Sequence, residues 1–232
     1  MIQKFLITSF SIILTLTTHL KAEEVVILLH GLIRTSASME VMEDALLEEA
    51  YSVHNIDYPS RHFPIEQLAK EVREQVETLT ESEDTIHFVT HSMGGILVRT
   101  IQKEAPLENI GRVVMLSPPN QGSELADSLS DLRIYYWING PAGDQLGTDP
   151  GGYINSLGPV DFELGVITGD RSINWINSII IPGKDDGKVS IERAKVEGMK
   201  DYKVIHATHP YIMKNNEAVT ATIRFLKSGS FF

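Results

Sequence analysis

The chain has 232 residues, enough for one domain with a sizeable core, and its 42% hydrophobic and 22% charged residues are the balance of a globular fold. A formal net charge of −11 with no basic cluster excludes the electrostatic footprint of a nucleic-acid binder, so no nucleic-acid partner is expected. The absence of cysteine excludes disulfides, thiolate nucleophiles and cysteine metal sites.

The first segment carries Lys4, then the apolar run Phe5 to Leu16, then Thr17 to Ala22 ahead of Glu23-Glu24. A basic start, a short apolar stretch and a small residue at the end read as a secretory signal peptide cut after Ala22. The expected destination is therefore the periplasm or the outside of the cell. The domain proper is expected to span 23–232.

Val25 to Leu29 is a continuous apolar run, as in a parallel strand buried on both faces. His30-Gly31-Leu32 closes it. Met39, Met42, Leu46 and Ala50 then fall at helical spacing. Val53 to Asp57 is a more polar strand, ended by Tyr58-Pro59-Ser60. Ile65, Leu68, Ala69, Val72, Val76 and Leu79 mark an amphipathic helix.

Ile86 to Val89 is the next strand, and Met93 to Glu104 the next helix. Between them stands Thr90-His91-Ser92-Met93-Gly94-Gly95. A serine at the apex of a sharp strand-to-helix turn is lifted clear of a sheet, with helix N-terminal amides aimed at whatever it attacks. The alternative is a serine capping an ordinary helix. The turn forces strand and helix together, so the positions two before and two after Ser92 must be small. Gly94 meets that need, whereas Thr90 is bulkier than the usual glycine. His91 is expected to point away from the nucleophile and pack. His87, alternating with apolar neighbours, is expected to be a satisfied core histidine.

Arg112 to Ser117 is a fourth strand, and repeated strand-helix units predict a parallel, doubly wound α/β sheet of about six strands. After Pro118-Pro119-Asn120 the rhythm breaks. Residues 120 to about 163 are rich in Gly, Pro, Asn and Asp and read as a small cap over the sheet edge. The patch Ile134 to Trp137 is expected to be the core of that cap, with a lipid-facing lid as the alternative. Leu164 to Thr168 is the fifth strand and Lys203 to Ile205 the last. Asn215 to Lys227 is a closing helix.

Ligands bind such a sheet at the C-terminal ends of its strands. His30, Ser92, Asp185, Asp186, His206 and His209 all follow predicted strands. The chain order Ser, Asp, His is that of the α/β-hydrolase triad. Asp185, Asp186, His206 and His209 are also an arrangement of metal-ligand types, but that reading leaves the serine turn unexplained, so neither metal nor cofactor is expected. Asp170 sits beside Arg171 and reads as a surface pair.

The sequence resembles an α/β-hydrolase of the lipase/esterase kind, and more closely a group of small bacterial exported hydrolases. The matching stretches are His30-Gly31-Leu32, Asp57 to Ser60, Phe88 to Gly95, Leu116 to Glu124, Pro182 to Ser190 and His209 to Met213. The resemblance implies Ser92 as nucleophile, Asp186 as triad acid with Asp185 as rival, and His209 as base with His206 as rival. It implies an oxyanion hole from the Met93 and Leu32 amides. Gly31 then admits the substrate closely, His30 braces that loop, and Pro119 and Asn120 shape an acyl pocket. The implied reaction is hydrolysis of a small-molecule or lipid carboxylic ester, with transient contact to a lipid interface. Acyl transfer and thioester cleavage are the same-fold alternatives, and a non-catalytic binding protein is a third. Chain length of the acyl group and oligomeric state are not legible.

Overall fold

The computed structural model describes residues 22–130, 133–173 and 180–232, without side chains at 129, 130 and 133–136. The leader read at residues 1–22 lies, apart from Ala22, outside the described residues, as do the side chains of Ile134 to Tyr136. Six strands form one sheet: β1 Glu24–Leu29, β2 Ser52–Ile56, β3 Thr85–His91, β4 Ile110–Leu116, β5 Leu164–Gly169 and β6 Asp201–Ile205. Their order is β2-β1-β3-β4-β5-β6, and every pairing is parallel. The expected doubly wound α/β sheet of about six strands is the observed one.

The apolar runs alternate between two cores, as the two-residue period of a strand requires. Val25, Ile27 and Leu29 face one layer with Phe88, Val113 and Met115. Val26 and Leu28 face the other with Val89, Val114 and Ile167. Helices α2 (Ile65–Leu79) and α3 (Met93–Glu104) cover the first face. Helix α1 (Glu40–Glu48) and the closing helix α7 (Asn216–Ser228) cover the second. On α2 the apolar stripe Ile65, Leu68, Ala69, Val72 and Val76 is buried, worth on the order of 10 kcal/mol of gross burial. Asn215 caps α7 by accepting from the Glu217 and Ala218 amides, so the helix begins one residue later than its composition suggests.

The excursion after β4 contains more helix than its Gly and Pro content predicts. Helices α4 (Glu124–Ser130), α5 (Arg133–Asp144) and α6 (Tyr153–Ser156) lie there. Inside α5 the backbone breaks at Gly140, with φ 68° and ψ −171°, just before Pro141. A Cβ at Gly140 would meet the Arg61 carbonyl oxygen at 1.8 Å, so only glycine fits the break. Gln145 fastens the excursion to α2: its side chain accepts from the Ile65 amide at 2.7 Å and donates to Glu66 at 2.8 Å. Trp137 is 75% exposed, so the expectation that this patch packs as a core fails at that residue. Among the described residues no helix is long and apolar enough to cross a membrane.

Candidate active site

The chain order places the topological switch point between β1 and β3, whose C-terminal ends deliver the loop His30–Ile33 and Ser92 side by side. Ser92 has φ 54° and ψ −122°, in the sterically restricted positive-φ half of the map. The departure at Thr90 is accommodated by a second glycine. A Cβ on Gly95 would meet Thr90 Oγ1 at 3.2 Å and Met115 Sδ at 2.9 Å. A Cβ on Gly94 would meet the Leu29 carbonyl oxygen at 2.7 Å. Gly94 therefore lets α3 approach β1, while Gly95 makes room for the bulkier Thr90.

Three side chains from the segments that follow β3, β5 and β6 converge. The Ser92 hydroxyl donates to His209 Nε2 at 3.1 Å. His209 Nδ1–H donates to Asp186 Oδ2 at 2.9 Å, since an ionised carboxylate can only accept. Asp186 Oδ1 accepts from the Lys188 and Val189 amides at 3.0 and 2.9 Å. Burial pushes the Asp186 carboxyl up. The His209 charge, its hydrogen bond and the Val189 amide outweigh this and hold the carboxyl below its ordinary value. The Ser117 hydroxyl, on a residue with φ 51°, also favours the ionised form without completing a bond of ordinary geometry.

The rival residues are occupied elsewhere. Asp185 accepts from the Gly187 amide at 2.7 Å and forms a bridge with Ser190, bracing the turn that presents Asp186. His206 is 73% exposed at its side chain and pairs with Asp170 at 2.9 Å. Asp170 thus pairs with His206 and Lys184, rather than with the adjacent Arg171 as expected.

Ser92 and His209 open into a cavity of about 370 Å³. Its wall includes Leu32, Pro119, Leu125, Ile138, Leu146 and Val189. Met93 is the first residue of α3, so its amide has no partner within the helix. The Leu32 amide has no backbone partner among the described residues, and Leu32 lines the cavity with Ser92.

Three expected cavity residues are not on its wall. His30 is fully buried: its Nδ1 donates to the Gly31 carbonyl and its Nε2 accepts from the Tyr58 amide, with its ring stacked on Tyr58 at 4.1 Å. Burial holds its imidazole below the ordinary value. It braces the loop and is not among the described lining residues of the cavity. Gly31 is buried within the loop, where a Cβ would meet His91 Nδ1 at 2.8 Å. Its small size admits the side chains of His91 and Ser92. Asn120 is buried because its side chain donates to the Ala194 carbonyl at 2.9 Å and accepts from Arg99.

Sequence reasoning missed two residues that organise the site. His91 packs as expected, but it does so against the site: its ring lies 4.9 Å from that of His209, and Nε2–H donates to the His209 carbonyl at 3.0 Å. Burial, and then the His209 charge, hold its imidazole well below the ordinary value. Arg99 is buried in α3 and donates to the carbonyls of Asn120 at 2.7 Å and Gly158 at 2.8 Å. Burial pushes it down to about 10. A cation in the apolar run Ile96 to Ile101 was the signal. His87 is only half satisfied: Nδ1 accepts from the Arg112 amide at 2.8 Å, while Nε2 has no hydrogen-bond partner among the described residues.

A family model described as palmitoyl protein thioesterase matches residues 25–140. No curated protein sequence matches the chain. Among solved structures, a lipase of Bacillus licheniformis in its mature form superposes with a TM-score of 0.71 at 18% identity, over 88% of this chain and 92% of that one. A phospholipase of Legionella pneumophila gives 0.70 at 16% identity, over 90% of this chain and 60% of that one. An esterase of Exiguobacterium antarcticum gives 0.61 at 13% identity, over 89% and 93%. At such identities the likeness is one of fold, and that fold is the α/β-hydrolase fold.

Proposed function

The chain belongs to the palmitoyl protein thioesterase family, and from that premise and the site's geometry we propose that it is a serine hydrolase of acyl esters. The observation that carries this is the hydrogen-bonded chain Ser92-His209-Asp186 at the base of a largely apolar cavity. Ser92 Oγ attacks the acyl carbonyl while His209 Nε2 takes its proton. Asp186 holds the imidazole tautomer and stabilises the imidazolium that forms. The developing oxyanion meets the Leu32 and Met93 amides, each worth on the order of 3 kcal/mol in the transition state. His209 returns the proton to the departing alkoxide or thiolate, leaving Ser92 acylated. Water then attacks the acyl-enzyme with His209 again as base, releasing the acid and restoring Ser92.

A thioester as the scissile bond is the second reading, favoured by the family match alone. The triad steps are the same with a sulfur leaving group. Exposed Ile33, Trp137 and Ile138, of which Ile33 and Ile138 line the cavity, support transient docking on a lipid surface. A signal peptide ending at Ala22 makes the enzyme periplasmic or secreted. The test is a set of p-nitrophenyl esters and S-acyl N-acetylcysteamine thioesters of matched chain length, with wild type and Ser92→Ala. Turnover of either set that vanishes in Ser92→Ala supports the proposal, and the faster set identifies the scissile bond. Turnover that survives in Ser92→Ala contradicts it.

A further inference from the structure

The chain is strongly acidic, yet no acidic side chain is found on the wall of the catalytic cavity among the described residues. The fixed charges on that wall are two cations, Arg34 and Lys188. Arg34 lies two residues beyond Leu32, on the loop that supplies the oxyanion amide. Lys188 lies two residues beyond Asp186, on the turn that presents the triad acid. They come from separate segments and face one volume.

Neither side chain has an ion pair or hydrogen bond among the described residues. Asp186 pulls on Lys188, but its oxygens are taken by His209 and two backbone amides. Lys188 keeps solvent-exposed surface. Desolvation at the cavity wall, and then repulsion from Arg34, nonetheless hold its ammonium below the ordinary value against the pull of Asp186. Both cations also act on buried His91, the neighbour of Ser92, so their field reaches the reacting centre. Two like charges that face one cavity and repel each other are both relieved when an anion sits between them. Among the described residues, none of the excess carboxylates lies on that wall.

Resting on the hydrolase reading above, we propose that the physiological substrate carries a phosphate group on its leaving-group side, seated between Arg34 and Lys188 while the acyl chain lies along the apolar wall. A phosphate offers several oxygens to donors from two directions, which suits two cations on two segments. The bond cleaved is still the acyl ester or thioester: water adds to the acyl carbon and the proton goes to the leaving oxygen or sulfur. The phosphate stays on the released alcohol or thiol.

Two sources share this chemistry, a glycerophosphate lipid headgroup and a phosphopantetheine-type thioester. Two matched pairs separate them, each differing by the phosphate alone: 1-decanoylglycerol 3-phosphate against 1-decanoylglycerol, and decanoyl phosphopantetheine against decanoyl pantetheine, all kept monomeric. The readout is the ratio of kcat/KM within each pair, so any loss of folded enzyme cancels. In wild type the phosphate member of one pair is favoured by about tenfold or more, and that pair names the source. In Arg34→Gln/Lys188→Gln the ratio falls to near one through a rise in KM for the phosphate member. The wild-type ratio also falls with added salt. A wild-type ratio of one or below in both pairs overturns the proposal, as does a ratio that survives the double substitution. If neutral members are turned over as well as phosphate members, only this inference fails. If wild type cleaves neither pair nor p-nitrophenyl butyrate, the hydrolase reading falls with it.

Discussion

Acidification tests the packing beneath the site. His30, His87 and His91 are all buried, and burial holds each imidazole below its ordinary value, His91 most strongly. In the unfolded chain each titrates near about 6.5. Below that pH the unfolded chain takes up protons that the folded chain refuses, so stability falls as pH falls. A histidine that stays neutral in the fold costs about 1.4 kcal/mol per pH unit in that window. From pH 6.5 to 5, His91 alone therefore costs about 2 kcal/mol. Asp186 acts in a different window: its depressed carboxyl contributes stability above the unfolded value, which is lost as pH falls through the folded one. His91→Gln isolates the first effect, since the amide nitrogen of glutamine can replace the Nε2–H donated to the His209 carbonyl. Urea denaturation at pH 7.5, 6 and 5 is the assay. Below about pH 6.5 the variant's stability should fall less steeply, by about 1.4 kcal/mol per pH unit, with little difference above that window. Parallel pH dependences for variant and wild type would refute the buried, neutral state of His91.

Three further outcomes follow from the geometry. Asp186→Asn should lower kcat far more than Asp185→Asn, on the order of 10⁴-fold, because an amide favours the wrong imidazole tautomer; steady-state kinetics with reversed losses would move the acid to Asp185. Arg99→Ala should lower stability by about 3 kcal/mol, since it strands the Asn120 and Gly158 carbonyls and leaves a void in α3; a urea midpoint equal to wild type would contradict this. Protein recovered from its native host should begin at Glu23, and intact mass retaining residues 1–22 would contradict the export reading.

Where the sequence was legible, local periodicity and tertiary need agreed. The stripe Ile65 to Val76 could only be a helix facing a core, and it packs as one. The run Val25 to Leu29 was too apolar for anything but a strand covered on both faces. Ser92, Asp186 and His209 stood after predicted strands in a telling order, and the fold brings them within hydrogen-bond reach. What stayed hidden depends on contacts between distant segments. Asn120 follows a strand like a ligand-binding residue, but Arg99 and the Ala194 carbonyl consume its polar atoms. His30 is turned inward by Tyr58, whose place beside it no local pattern records. The cap helices were masked because the break at Gly140-Pro141 carries loop composition inside one helical segment.

The central claim is that Ser92 becomes acylated. The most direct measurement is mass spectrometry of the protein after brief exposure to a fluorophosphonate probe and, separately, to a slowly deacylating p-nitrophenyl ester. Each should add one group per chain, mapped to the peptide bearing Ser92, and neither should add to Ser92→Ala or to heat-unfolded protein. Turnover of esters by a chain in which Ser92 stays unmodified by both reagents, or an adduct mapped to another residue, would contradict the account.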